Sequence, residues 1–194
     1  MPMSTPQQLL ERYVEAKDFT RPALMREIYR SDAVLTYAIA TDDIRFPARV
    51  EGIEAITRTL VSDFALSFDR CRTYYVCDAP PGAAQHLAFV PWLVVMRERD
   101  VGLLRMGQGF YRWGFEPDGE GALRAATMHI HIYRMDRIQD PRAELLEAVQ
   151  HGLPYPWLTP AFLRDAFEAR SRSRPDLAFV REFAAPLPPE SDSR

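Results

Sequence analysis

The stretch that decides the fold is residues 86–138, HLAFVPWLVVMRERDVGLLRMGQGFYRWGFEPDGEGALRAATMHIHIYRMDRI. It holds three long extended candidates, His86 to Arg99, Gly102 to Glu116 and Ala122 to Ile138. They are joined only by Arg99-Asp100 and by Pro117-Asp118-Gly119-Glu120-Gly121. Period-2 runs linked by short turns predict antiparallel neighbours, because a parallel pair needs a crossover of a dozen residues or more. With Arg72 to Asp78 ahead of Ala79-Pro80-Pro81-Gly82, the segment reads as a four-stranded meander. Pro91 cannot donate to a ladder, which places a bulge or an edge in the second of these strands. Gly107-Gln108-Gly109 lacks a third glycine and a following helix, so it reads as permitting curvature or close backbone approach, not as a dinucleotide fingerprint.

Upstream of the meander the period is helical. Ser4 with Gln7 forms an S-x-x-Q capping pattern, and Leu9, Leu10, Tyr13 and Val14 follow at helical spacing, predicting a helix from Thr5 to Lys17. Thr20 is placed to cap a second helix with Pro22 in its first turn and Leu24, Met25, Ile28 and Tyr29 as its stripe. Ala33 to Ile39 is rich in β-formers, and Thr41-Asp42-Asp43 with Ile44-Arg45-Phe46 predicts a small hairpin. Gly52 introduces a third helix carrying Ile53, Ile56, Leu60, Val61, Phe64 and Phe68. The order predicts an α+β fold with helices gathered on one face of a curved antiparallel sheet. It occupies residues 1–139, and 140–194 form a C-terminal helical extension. In that extension Arg142 to Gln150 and Ala161 to Arg170 read as helices, Leu153 to Pro160 as a proline and aromatic loop, and Pro186 to Arg194 as a fraying tail. Tyr155, Trp157, Leu158, Phe162, Phe167, Phe179 and Phe183 give it apolar surface to bury on the core or on a partner.

Composition narrows the function classes. Of 194 residues 47% are hydrophobic and 26% charged, with a net charge of −3, the make-up of one globular body able to bury a core. No apolar run approaches the roughly 20 residues of a membrane span, and Met1 to Leu10 lacks the pattern of a signal peptide, so the expectation is a cytoplasmic protein without a membrane partner. The basic residues are one lysine, Lys17, and otherwise arginine scattered among acids, so nucleic acid is not an expected partner. Cys71 and Cys77 are too far apart along one extended segment for a disulfide, and no cofactor motif or zinc spacing is present.

Glu11-Arg12-Tyr13-Val14-Glu15-Ala16, Asp32-Ala33-Val34-Leu35 and Val50-Glu51-Gly52-Ile53-Glu54-Ala55-Ile56, in this element order, resemble the NTF2-like superfamily, which includes SnoaL-like cyclases and ketosteroid isomerases. The resemblance covers residues 4 to 138. It implies a cone whose curved sheet and three helices enclose an apolar cavity, and a homodimer paired through the outer sheet face. Tyr13 falls where the isomerases carry a proton-donating tyrosine. Tyr37 stands where they keep an aspartate base, and neither Gly109 nor Tyr111 restores their second aspartate. The isomerase chemistry is therefore rejected, since a phenol with a pKa near 10 is a poor base at neutral pH.

If, as the resemblance implies, Tyr37 and the odd positions of the third meander strand face the cavity, alternation puts Leu35, Tyr37, Arg105, Tyr111 and Trp113 on that side, and the same alignment adds Ala126, Met128 and Ile130. Such a lining suits a small hydrophobic or aromatic molecule, and equally a filled core. The enzymatic expectation is a cofactor-free lyase, isomerase or hydratase in which Tyr13 and Tyr37 donate to a developing oxyanion and Arg105 aids electrostatically. The alternative is a non-catalytic ligand-binding or dimeric interaction module. His129-Ile130-His131 puts two imidazoles on one strand face. That face points outward, and no third ligand follows at a recognisable spacing, so no metal is expected there.

Overall fold

The computed structural model describes residues 4–188. Helix α1, Pro6–Asp18, is capped one residue later than the S-x-x-Q pattern suggests: Thr5 Oγ1 accepts the Gln8 N–H at 3.2 Å, and the Gln8 side chain accepts the Thr5 N–H at 2.9 Å. Pro6 explains the offset, because proline at the first helical position loses no hydrogen bond. Thr20 does not cap the next helix. Its φ of +54° puts it in the left-handed region, and a 3₁₀ turn, Pro22–Leu24, leads into the single-turn α2, Met25–Ile28. Tyr29 then starts β1, Tyr29–Ile39, four residues ahead of the expected strand.

The hairpin partner of β1 is β2, Arg49–Glu51, and not residues 44–46. Ile44 and Phe46 instead lie in the loop before it, and Phe46 stacks flat on Tyr37 with ring centroids 4.8 Å apart. The third helix is also interrupted: α3, Ile53–Thr57, runs through a π turn, Arg58–Ser62, into α4, Phe64–Ser67. Leu60 and Val61 of this turn are both buried against the core.

The meander strands are β3, Phe68–Val76, β4, His86–Glu98, β5, Leu103–Pro117, and β6, Leu123–Gln139. They pair antiparallel, and β1 joins β6 in parallel, giving the order β2-β1-β6-β5-β4-β3 with one further edge strand. Pro91 is tolerated because β3 pairing ends at Trp92 and the β4–β5 register shifts between Leu87 and Val90. Register also shifts at two places between β5 and β6, the device that bends a sheet. One of these shifts corrects the expected lining. Gly114 pairs with Thr127 but Phe115 pairs with Ala125, so Ala126 is the extra residue of a bulge and Ala125 takes the fully buried inward place.

Residues from 140 onward cover the opposite, outer face. The Asp140 carboxylate accepts the N–H groups of Leu145 and Leu146 and so caps α5, Glu144–Gln150. The loop after it contributes β7, Trp157–Leu158, parallel to the edge of β3. Then come α6, Pro160–Ser173, whose cap is Thr159, and a 3₁₀ helix, Pro175–Phe183. Leu158, Leu163, Phe167 and Phe183 pack with Leu93, Val95, Leu104 and Met106 into a second core, while Phe162 stays exposed. Of the tail expected to fray, residues 189–194 lie outside the described residues, and Pro188 is tied down through its carbonyl to the Tyr133 hydroxyl at 2.7 Å. In this chain the β3–β4–β5 part of the outer face, a surface the resemblance assigned to a dimer, is thus occupied by its own extension. Among the described residues no helix is long and apolar enough to cross a membrane.

Candidate functional site

The inner face of the sheet, α1, the π turn and α4 border a hollow lined by Tyr13, Tyr37, Trp92 and Tyr111, with aliphatic side chains and Lys17. Two glycines shape it. A Cβ on Gly109 would lie 1.8 Å from the His131 carbonyl oxygen and 2.5 Å from the Trp92 ring, and one on Gly107 would lie 2.5 Å from Met135 Cε. Their small size lets Trp92 and Met135 lie across β5, which is the close approach expected of Gly107-Gln108-Gly109. The hollow offers about 50 Å³, against about 10–15 Å³ for one water, so there is room for a few waters or one small ring. A steroid does not fit.

Lys17 supplies the charge. Its side chain is 7% exposed, and its Nζ donates to Asp18 Oδ1 at 2.8 Å and to Cys71 Sγ at 3.3 Å. The ammonium also lies 4.9 Å from the centre of the Phe64 ring. Asp18 is saturated: it accepts the Thr73 N–H at 2.6 Å, the Thr73 hydroxyl at 3.0 Å and the Tyr155 hydroxyl at 3.0 Å besides the lysine. Burial alone would push Lys17 down, but the Asp18 carboxylate outweighs it and holds the ammonium above its usual range. Burial would push Asp18 up, yet Lys17 and the Thr73 N–H hold it below the usual carboxylate range. Burial, followed by the charge of Asp18, pushes the Cys71 thiol up to about 12, so it is not a thiolate at neutral pH.

The phenols complete the site. Burial drives Tyr13 well above its ordinary pKa, with Tyr111 adding to the effect, and burial likewise raises Tyr37. Both are therefore donors across the neutral range. The Tyr37 hydroxyl and the Trp92 indole N–H are buried with no hydrogen-bond partner in place, and the buried Tyr13 hydroxyl meets only that of Tyr111. Leaving such a group unsatisfied costs about 1–3 kcal/mol. Several in one hollow are a cost that a ligand acceptor would remove.

The structure brings together some of the residues singled out from sequence and separates others. Tyr13, Tyr37, Tyr111 and Ile130 line the hollow. Leu35, Trp113 and Met128 belong to the packed core around it, with Met128 Sδ accepting the Tyr29 hydroxyl at 2.8 Å. Arg105 is not among the hollow's walls. It donates to Glu98 at 2.7 Å and to the Asp43 carbonyl, in a second depression at the mouth bounded by Asp43, Asp63 and Glu98. Ile44, Phe46 and Phe64 border both depressions and so form the partition between them. The Leu153 to Trp157 stretch is a packed loop beside α1 and not a cover: Tyr155 bonds Asp18, and the Trp157 N–H donates to Glu11 at 2.7 Å.

Sequence reasoning missed Lys17, Thr73 and Trp92. A signal for Lys17 existed: it is the sole lysine and stands four residues after Tyr13 on the buried stripe of α1, a position where a solvated cation does not belong. His129 and His131 do lie on the outer face, where His131 stacks on Phe110 with centroids 4.9 Å apart.

No protein-family profile and no curated protein matches the chain. Solved structures do. It is similar to an NTF2-like superfamily protein from Salmonella enterica serovar Typhimurium, with a TM-score of 0.53 at 15% identity over 64% of this chain and 85% of that one. It is also similar to LinA, with a TM-score of 0.55 at 13% identity over 68% and 86%. The hexachlorocyclohexane dehydrochlorinase LinA-type3 of Novosphingobium barchaimii LL02 gives 0.55 at 11% identity, again over 68% and 86%. The chain has an NTF2-like fold.

Proposed function

We propose that the chain binds a small, mostly apolar molecule of about one ring inside the cone, with one anionic or strongly accepting oxygen turned toward Lys17, Tyr13 and Tyr37. The observation that carries this reading is the set of donors in an apolar hollow: the unpartnered Tyr37 hydroxyl and Trp92 indole N–H, the Tyr13 hydroxyl beside them, and the ammonium of Lys17, which already donates to Asp18 and Cys71. Fixed donors of this kind reward an oxyanion, because water that would otherwise solvate them is excluded.

The same donors support the cofactor-free lyase, isomerase or hydratase reading, in which Tyr13 and Tyr37 stabilise a developing oxyanion. The fold shared with a dehydrochlorinase adds elimination to those classes. That reading lacks a base: Lys17 is held protonated, Asp18 is saturated and Cys71 is a thiol. Binding without chemistry is the reading the geometry favours. Calorimetric titration with benzoate and with its neutral isostere benzamide tests it. Benzoate is expected to bind more tightly, and Lys17→Met is expected to erase the difference. Equal binding of both by the wild type, or an unchanged preference in Lys17→Met, overturns it.

A further inference from the structure

The outer face carries a second feature that the inner cavity does not use. On four adjacent strands Arg49, Thr36, His129 and Arg112 are direct partners: Arg49 with Thr36, Thr36 with His129, His129 with Arg112. Direct partners share a face and sit about 4.8 Å apart, so the four side chains form a row across the sheet. The next row is Val34, Thr127, Gly114 and His86. These eight residues border one open groove of about 370 Å³. Gly114 keeps its floor clear, since a Cβ there would meet Thr127 Oγ1 at 2.5 Å.

The groove is built of donors. It is bordered by two arginines, two histidines and two threonines, and no acidic side chain lines it. Thr36 Oγ1 and His129 Nδ1 are 2.8 Å apart, which fixes the ring and leaves its other nitrogen facing away from the threonine. Glu51, the direct partner of Val34 on β2, extends the second row, and its carboxylate is taken by Arg49 at 2.6 Å. Arg112 is different. Arg30, Arg97, Arg105 and Arg134 each hold a carboxylate, whereas Arg112 is exposed and lies 5.0 Å from the Phe110 ring with no carboxylate paired to it among the described residues. The described part of the extension, to Pro188, stops short of the groove: its last contacts are at Gln108 and Tyr133.

We propose that this groove binds a phosphate group, free or as the monoester of a small molecule, with the phosphoryl oxygens held by Arg112, His129 and Thr127. A guanidinium fork matches two phosphoryl oxygens, and the hydroxyl and imidazole provide donors on the adjacent strand. An ester substituent would run along the groove toward Leu87 and Ala88, beside His86. The site lies on the face opposite the cavity and does not rest on the reading given for it.

Titration of the full chain at low ionic strength with inorganic phosphate and with phenyl phosphate, followed by calorimetry and by the His129 ring resonances, tests the proposal. Saturable binding in the millimolar range or tighter is expected, about tenfold weaker in Arg112→Gln and a few-fold weaker in Thr127→Val. Tighter binding of phenyl phosphate than of phosphate identifies an ester as the ligand; the reverse identifies the free anion. Arg112→Gln is exposed and should leave the melting temperature unchanged, and Gly114→Ala provides an independent block of the floor. Absence of saturation, an unchanged affinity in both Arg112→Gln and Thr127→Val, preferential binding of a single-stranded oligonucleotide over the small esters, or a solution dimer that buries Arg112 would each overturn it.

Discussion

The two faces of the sheet are made by the same strands and are packed in opposite ways. On the outer face the extension lays Leu163, Phe167, Leu177, Val180 and Phe183 against Leu93, Val95, Leu104 and Met106, an apolar contact. On the inner face α1 brings Tyr13 and Lys17 against Tyr37, Tyr111 and Trp92, rings that stack and cross without filling the centre. One side spends its burial on stability. The other leaves a hollow and several polar atoms unsatisfied, which lowers stability and creates something for a ligand to relieve.

The contrast can be broken from either side. Phe167→Ala removes a fully buried ring from the outer core and is expected to cost about 3–5 kcal/mol in denaturant unfolding. Ligand binding in the cone should survive wherever the variant is folded. If affinity falls in proportion to stability, the faces are not independent. On the inner face Asp18→Ala strips the buried ammonium of its counter-ion and is expected to cost about 3 kcal/mol.

Lys17→Met is smaller, about 2 kcal/mol at pH 7, because Asp18 keeps the Thr73 and Tyr155 donors. Its pH dependence has a definite sign. In the wild type Asp18 is held below its unfolded value of about 4, so its contribution is present above that pH and is lost on acidification. Without the ammonium, the carboxyl loses the strongest influence that holds it down, and the Thr73 and Tyr155 donors are left to oppose burial. The stability that the variant loses on acidification is therefore smaller. Urea midpoints between pH 3 and 8 should fall less steeply with acid in Lys17→Met than in the wild type, and parallel slopes would show that Lys17 does not set the state of Asp18.

Tyr37→Phe has the smallest expected effect on folding. Removing a buried hydroxyl with no partner should leave the empty protein unchanged or up to about 1 kcal/mol more stable, while weakening an oxygen-bearing ligand. A clear loss of stability in Tyr37→Phe would mean the hydroxyl already has a partner, and the donor reading of the cone would lose one of its members.

Much of the scaffold was legible because strands and helices announce themselves by period. The meander, the buried stripe of α1 and the glycines of β5 are local patterns whose consequences hold wherever the chain goes. What failed depended on one-residue choices: the cap on Thr5 instead of Ser4, the β1 partner at Arg49–Glu51 instead of 44–46, and Ala125 turned inward instead of Ala126. A bulge adds one residue to one strand and reverses every side chain beyond it, which alternation counted along a single strand cannot detect. Arg105 was placed on the correct side of the sheet, but Glu98 and the Asp43 carbonyl hold it at the mouth, and neither partner is near it in sequence except across a turn.

The sequence by itself determined the α+β order, the antiparallel meander, and a first helix carrying Tyr13 and a first strand carrying Tyr37, since these follow from periodicity and turn chemistry along the chain. Only the tertiary structure decided that Lys17 is buried against Asp18, that the extension covers the β3–β4–β5 part of the outer face, and that Arg49, Thr36, His129 and Arg112 line up across four strands. Those facts concern residues from 1 to 137 positions apart. Burial, charge pairing and cross-strand register belong to the packed chain and not to any segment of it.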